Sequence, residues 1–139
     1  MNRLSDKEAI DLLKHDDILE LGQQANKIRQ EKHPGNTVTF IVDRNINYTN
    51  VCLNECRFCA FFRRENHKDA YLLPIETILE KVKETQEAGG TQIMLQGGLH
   101  PSLPFEYYLN MINTIKTAFP DIVIHSFSPA EILHFFQDS

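Results

Sequence analysis

Apolar residues recur at helical spacing early in the chain, at Ile18, Leu21, Ala25 and Ile28, and Ser5 with Glu8 has the form of a capping box upstream of them. Two amphipathic helices are predicted, ending near His33-Pro34-Gly35. The next stretches, Thr37 to Val42 and Asn45 to Thr49, are rich in β-branched and aromatic residues and predict extended structure. Ile75, Ile78, Leu79 and Val82 then mark a helix that stops at Gly89-Gly90, where glycine can take the left-handed conformation of a C-terminal cap. Thr91 to Leu95 predicts a strand. Tyr108, Leu109, Ile112 and Ile115 place a helix over Phe105 to Phe119, with Pro120 blocking its continuation. Asp121 to Phe127 predicts a third strand, and Pro129 the start of a third helix.

Strands alternating with helices predict an α/β fold of parallel βα units, whose crossovers share one preferred hand. The expected organisation is a helical segment over 1–36 and three βα units over 37–139. A closed barrel of eight such units takes about 250 residues. The pattern therefore predicts the N-terminal part of a TIM-type barrel, preceded by two helices and truncated in its third unit.

Composition narrows the function classes. Of 139 residues, 42% are hydrophobic and 24% charged, which suits a globular domain, and the formal net charge of −5 provides no general attraction to nucleic acid. No apolar run has membrane-spanning length, and the N-terminus MNRLSDKEAID lacks the apolar core of a secretory signal. A cytoplasmic protein with no membrane or nucleic-acid partner is expected.

All 3 cysteines fall in the segment Cys52-Leu-Asn-Glu-Cys56-Arg-Phe-Cys59. An odd number cannot all pair within the chain, so metal binding leads the explanations. Three thiolates on one short loop can close around a single centre. Clusters that only carry electrons usually have four cysteine ligands, so a 4Fe-4S cluster held by three leaves one iron open to a small molecule. A closed Cys3His zinc site using His67 is the competing arrangement. The loop follows an apolar strand in an α/β pattern, where a barrel places its active site.

This pattern, with the aromatic Phe58 before the last cysteine, resembles the radical S-adenosylmethionine (SAM) superfamily. The resemblance implies that Cys52, Cys56 and Cys59 hold a 4Fe-4S cluster whose fourth iron is chelated by SAM. An electron from the cluster would then cleave the sulfonium to methionine and a 5′-deoxyadenosyl radical. Gln96-Gly97-Gly98 follows the second strand at the active rim and resembles the motif that receives the methionine amino group, although Leu99 stands where the family usually has Glu. Glycine there would let the main chain approach the cofactor; an ordinary βα turn would also need it. Ser128 and Glu131 suit the start of a helix as N-cap and first-turn charge, and by resemblance could also touch cofactor or substrate. The backbone around Phe61 is the expected adenine contact, with Phe62 and Tyr71 as further aromatic candidates. His100 and His125 lie near strand ends, but neither is assigned a catalytic role.

Four segments together, Asn45 to Cys52, Cys59-Ala-Phe-Phe-Arg63, Gln96-Gly-Gly-Leu-His-Pro101 and Ser126-Phe-Ser-Pro129, resemble the cyclic dehypoxanthine futalosine synthases of menaquinone biosynthesis. That resemblance implies hydrogen abstraction from the ribose of dehypoxanthine futalosine, radical attack on its aromatic ring and oxidation to a spiro-cyclic product. It also implies a reductant such as flavodoxin or ferredoxin. The alternatives are an aminofutalosine synthase, a deazaflavin-cofactor synthase, or an inactive metal-binding fragment.

Overall fold

The computed structural model describes residues 3–136. The chain divides into two compact units, Met1–Thr39 and Phe40–Ser139. In the first, α1 (Asp6–Leu13) starts on the predicted capping box: Glu8 N–H donates to Ser5 Oγ at 3.4 Å, and Ser5 N–H donates to Glu8 Oε2 at 2.7 Å. The second helix, α2 (Ile18–Lys32), is capped by Asp17, whose carboxylate accepts from Leu19 and Glu20 N–H.

The second unit runs β1 (Asp43–Asn47), α3 (Ile75–Glu87), β2 (Gln92–Gln96), α4 (Phe105–Ala118), β3 (Val123–Ser126) and α5 (Pro129–Phe135). The strands form one parallel sheet in the order β1-β2-β3, with Ile46 beside Leu95 and Leu95 beside Ser126. The helices cover one face of it. Ile78 and Val82 of α3, and Tyr108, Met111 and Ile115 of α4, stand three or four residues apart and so share a stripe that buries Ile46, Ile93 and Leu95. No helix among the described residues is long and apolar enough to cross a membrane.

The sheet takes up only part of the segment expected to be extended. Thr37 to Val42 lies outside the sheet, and β1 begins only at Asp43. Of that run, Val42 comes nearest the ladder, its carbonyl accepting from Thr91 N–H at 3.3 Å. Its β-branched and aromatic residues favour extension, but a strand exists only where a partner strand supplies hydrogen bonds. Val38 and Phe40 are consequently exposed.

The C-terminal ends of the strands point to one rim. There Phe127 has φ of 63°, a left-handed conformation unusual for a non-glycine residue. It turns the chain sharply from β3 into α5, while its ring packs edge-on against Tyr48, Tyr108 and Phe135. Such a strained residue persists only when its surroundings hold it in place.

Candidate functional site

The cysteine loop leaves β1 and is fastened at both ends by main-chain bonds. Tyr48 N–H donates to Gln96 O at 3.3 Å, and Leu73 N–H donates to Tyr48 O at 2.8 Å. The next two side chains grip the returning segment. Thr49 Oγ1 donates to Tyr71 O at 2.7 Å, while the Asn50 amide donates to Asp69 O at 2.9 Å and accepts from Tyr71 N–H at 2.8 Å. Cys52 N–H donates to Arg63 O, and Arg63 N–H to Asn50 O. The Arg63 guanidinium turns inward: Nη1 donates to the carbonyls of Phe62, Ala60 and Phe61, at 2.8, 3.2 and 3.5 Å. A hydrogen-bonded base thus carries Cys52 through Cys59.

The exit of β2 docks onto this base. Gly98 N–H donates to Thr49 O at 3.1 Å, Leu53 N–H to Leu99 O at 2.9 Å, and Leu99 N–H to Cys52 Sγ at 3.3 Å. The last bond is a backbone donor aimed at a cysteine sulfur. Both glycines have a packing reason. A Cβ on Gly97 would lie 2.4 Å from the Tyr48 ring, and one on Gly98 would lie 2.1 Å from Val51 O.

A cavity of about 330 Å³ opens over this junction. Cys52, Cys56 and Cys59 line it as free, half-buried thiols. Gln96, Gly97 and Gly98 form the wall at the end of β2, and Ser128 and Glu131 the wall at the start of α5. Phe58 and Phe61, residues that are 91% and 73% exposed, flank the last cysteine, and Phe62 and Tyr71 also reach the cavity. Residues separated by up to 84 positions in sequence, Asn47 to Glu131, therefore face one space.

The histidines do not. His100 is buried, with Nδ1 accepting from Ser102 N–H at 3.2 Å, and His125 lies exposed on β3. His67 Nδ1 accepts from Asp69 N–H at 3.1 Å. None of the three is on the cavity wall. A Cys3His zinc site thus lacks its fourth ligand here. Among the described residues, no three His, Cys, Asp or Glu side chains are already drawn together around a common ion position. The donor set facing the cavity is nonetheless three thiols and no histidine, the chemistry suited to a cluster with one open iron.

Sequence inspection missed Tyr48, Thr49 and Asn50 as organisers of the site. The run Tyr-Thr-Asn directly before Val51-Cys52 was their only signal. From sequence, Glu131 reads as a helix cap and, by resemblance, as a candidate cofactor or substrate contact, but not as a tie between strand ends. It is also 2% exposed, and its Oε1 accepts from Tyr48 OH at 2.8 Å and Gly97 N–H at 3.0 Å. Burial beside that carboxylate holds the Tyr48 hydroxyl far above the usual phenol range, so it remains a donor.

Cyclic dehypoxanthine futalosine synthase of Halalkalibacterium halodurans is 47% identical over 130 residues, covering 94% of this chain and 35% of that protein. The 5-amino-6-(D-ribitylamino)uracil–L-tyrosine 4-hydroxyphenyl transferase of Methanopyrus kandleri is 53% identical over 98 residues, covering 70% of this chain and 27% of that one. The chain thus spans about a third of the length of the curated relatives it matches. Among solved structures, methylornithine synthase (PylB) superposes with a TM-score of 0.71 at 21% identity, over 96% of this chain and 41% of its own, which bears on fold alone. The FeFe-hydrogenase maturase HydG of Carboxydothermus hydrogenoformans gives 0.59 at 29% identity, over 88% of this chain and 28% of its own. Residues 46–136, from the end of β1 through α5, match the Radical SAM superfamily, and with three free thiols over one cavity the chain belongs to that superfamily.

Proposed function

We propose that this chain forms the cofactor-holding part of an enzyme that converts dehypoxanthine futalosine to its cyclic product. The observation that carries the reading is the match to the Halalkalibacterium halodurans cyclase, which extends over 94% of the chain. Superfamily membership implies a 4Fe-4S cluster and SAM. Cys52, Cys56 and Cys59 would hold the cluster, which when bound supplies the electron for reductive cleavage of SAM.

The protein's contribution is placement and shielding. The Gly97-Gly98 main chain, with Gln96 beside it, forms the wall suited to the polar end of SAM, and Phe58 with the backbone at Phe61 forms the apolar wall suited to adenine. Ser128 completes the opposite side. Leu99 N–H donates to Cys52 Sγ, and hydrogen bonds to cluster sulfurs are among the devices that set reduction potential. A flavodoxin- or ferredoxin-type protein is the proposed electron donor.

A second reading has its own observation: the Methanopyrus kandleri transferase has the higher identity, 53%, though over only 70% of the chain. Reciprocal chimeras separate the two. This chain replaces the corresponding segment of each full-length relative, and each chimera is assayed anaerobically with that relative's substrates. Turnover in the cyclase background and its loss in the transferase background is expected. The reverse pattern overturns the assignment.

A further inference from the structure

Glu131 is a buried carboxylate whose four acceptor positions are all taken. Oε1 accepts from Tyr48 OH and Gly97 N–H, and Oε2 from Ser128 N–H at 2.7 Å and Ser128 Oγ at 2.8 Å. No lone pair remains for a cofactor hydroxyl or amine. Its partners come from three places: the end of β1, the end of β2 and the N-cap of α5.

We propose that Glu131 is a positioning residue that holds the Gly97-Gly98-Leu99 strip in register with the cysteine loop, and so maintains the Leu99 N–H donor on Cys52 Sγ. The links are contiguous. Glu131 holds Gly97 from one side, while the bonds Gly98 N–H to Thr49 O and Leu53 N–H to Leu99 O hold the strip from the other. Tyr48 braces the same point, because its hydroxyl meets Glu131 and its ring fills the space a Cβ on Gly97 would need. With the strip held at both ends, Leu99 N–H has one place to point. The backbone thereby supplies an interaction that does not depend on the residue-99 side chain, and the departure from Glu to Leu99 leaves it intact.

A carboxylate is required here. Gly97 and Ser128 present backbone N–H groups to opposite oxygens, and a backbone N–H cannot reverse its polarity. Glutamine in either amide orientation would set an NH2 group against one of them. Glu131→Gln should therefore loosen either the strip or the α5 cap. Tyr48→Phe removes one donor and keeps the ring packing, and so serves as the variant that folds if Glu131→Gln does not.

The first measurement needs no iron. Amide hydrogen exchange of the wild-type chain and both variants is compared at Gly97 and Leu99, with Ile93 and Leu95 in β2 as internal controls. Exchange at Gly97 and Leu99 at least tenfold faster, with the controls unchanged, is expected. The second measurement is the midpoint potential of the reconstituted cluster, followed by electron paramagnetic resonance. It should shift to more negative values in the variants, because loss of an N–H donor to sulfur disfavours the more negatively charged reduced state. A variant with unchanged Leu99 exchange and unchanged potential, but a lowered melting temperature, would show that Glu131 only caps α5 and would overturn the proposal; so would equal acceleration at the control amides. The potential arm rests on the cluster reading of Cys52. If wild-type protein assembles no cluster, that reading fails, while the exchange arm still decides the role of Glu131.

Discussion

Gly98 packs against Val51 so closely that a Cβ at position 98 would lie 2.1 Å from the Val51 carbonyl oxygen and 2.7 Å from Cβ of Cys52. The obstacle is main chain, which cannot swing aside as a side-chain tip can. Gly98→Ala should therefore push the β2 exit and the cysteine loop apart, at a cost typical of overpacking, about 1–3 kcal/mol. Iron loading should fall together with SAM affinity. Measuring iron per chain and SAM binding on one preparation checks this; intact loading with weakened SAM binding alone would mean that Gly98 serves the cofactor and not the loop.

Each cysteine should be needed for the cluster. Anaerobic reconstitution with iron and sulfide should give about four irons per wild-type chain. Cys52→Ala, Cys56→Ala and Cys59→Ala should each lose stable iron, because only two protein thiolates would remain. Full iron in Cys56→Ala would show that the ligands are misassigned, and one tightly held zinc in the wild type would restore the zinc alternative.

The parts of this site that could be read from sequence were those encoded locally. The C-x3-C-x2-C spacing, the glycine pair after an apolar strand and the Ser128…Glu131 cap each fit within a few residues, and each lies where its local pattern put it. What the sequence concealed depends on contacts between distant residues. The Tyr48 hydroxyl meets Glu131 across 83 positions, and no periodicity signals that a helix-capping glutamate also anchors a glycine turn. Thr37 to Val42 stays out of the sheet for the converse reason. Its local propensity for extension is real, but β2 pairs only from Asp43 onward.

The paired tyrosines of the core should respond oppositely to loss of the hydroxyl. Tyr108 OH is buried and finds no hydrogen-bond partner among the described residues, whereas its ring stacks on Phe135 at 3.8 Å. Burial, with Glu131 and Tyr107 nearby, pushes its hydroxyl up to about 12, so it stays protonated and gains nothing by ionising at neutral pH. Tyr108→Phe keeps the stacking and removes an uncompensated polar group, so it should be neutral or stabilising by about 1 kcal/mol. Tyr48→Phe removes a satisfied donor and should destabilise by about 1–2 kcal/mol. Denaturant midpoints of both variants test the contrast; a loss at position 108 as large as at 48 would mean that the Tyr108 hydroxyl has a partner.

His100 should make stability depend on pH. Burial, the leading cause, with His134 adding to it against the opposing pull of Glu65, lowers its pKa below the ordinary imidazole value of 6.5. Between the two values the unfolded chain binds a proton that folded His100 refuses, so the unfolded state is favoured as pH falls through about 6.5. The wild type should be less stable at pH 5.5 than at pH 7.5, and His100→Gln, which keeps an acceptor for Ser102 N–H, should show a smaller difference. An identical difference in the variant would assign the effect to other groups.

These 139 residues by themselves are expected not to turn over dehypoxanthine futalosine, because barrel active sites draw residues from the ends of several strands. The sheet described here has three strands, and the chain matches 35% of the length of the Halalkalibacterium halodurans relative. A primary carbon radical must be kept from water and stray hydrogen donors, and a closed site is how enzymes exclude such side reactions. The open rim cannot do this: Phe58 and Phe61 on the cavity wall remain mostly exposed. Among the described residues β3 also pairs with β2 alone, which leaves its outer edge without a partner strand there beside an exposed Val123, an arrangement that favours association. The expected behaviour is self-association together with, at most, uncoupled cleavage of SAM. With dithionite, SAM and substrate under anaerobic conditions, 5′-deoxyadenosine should form without matching cyclic product, each followed by mass spectrometry, while size-exclusion chromatography reports the assembly state. Stoichiometric amounts of both products from a monomeric chain would show that three βα units already enclose the radical.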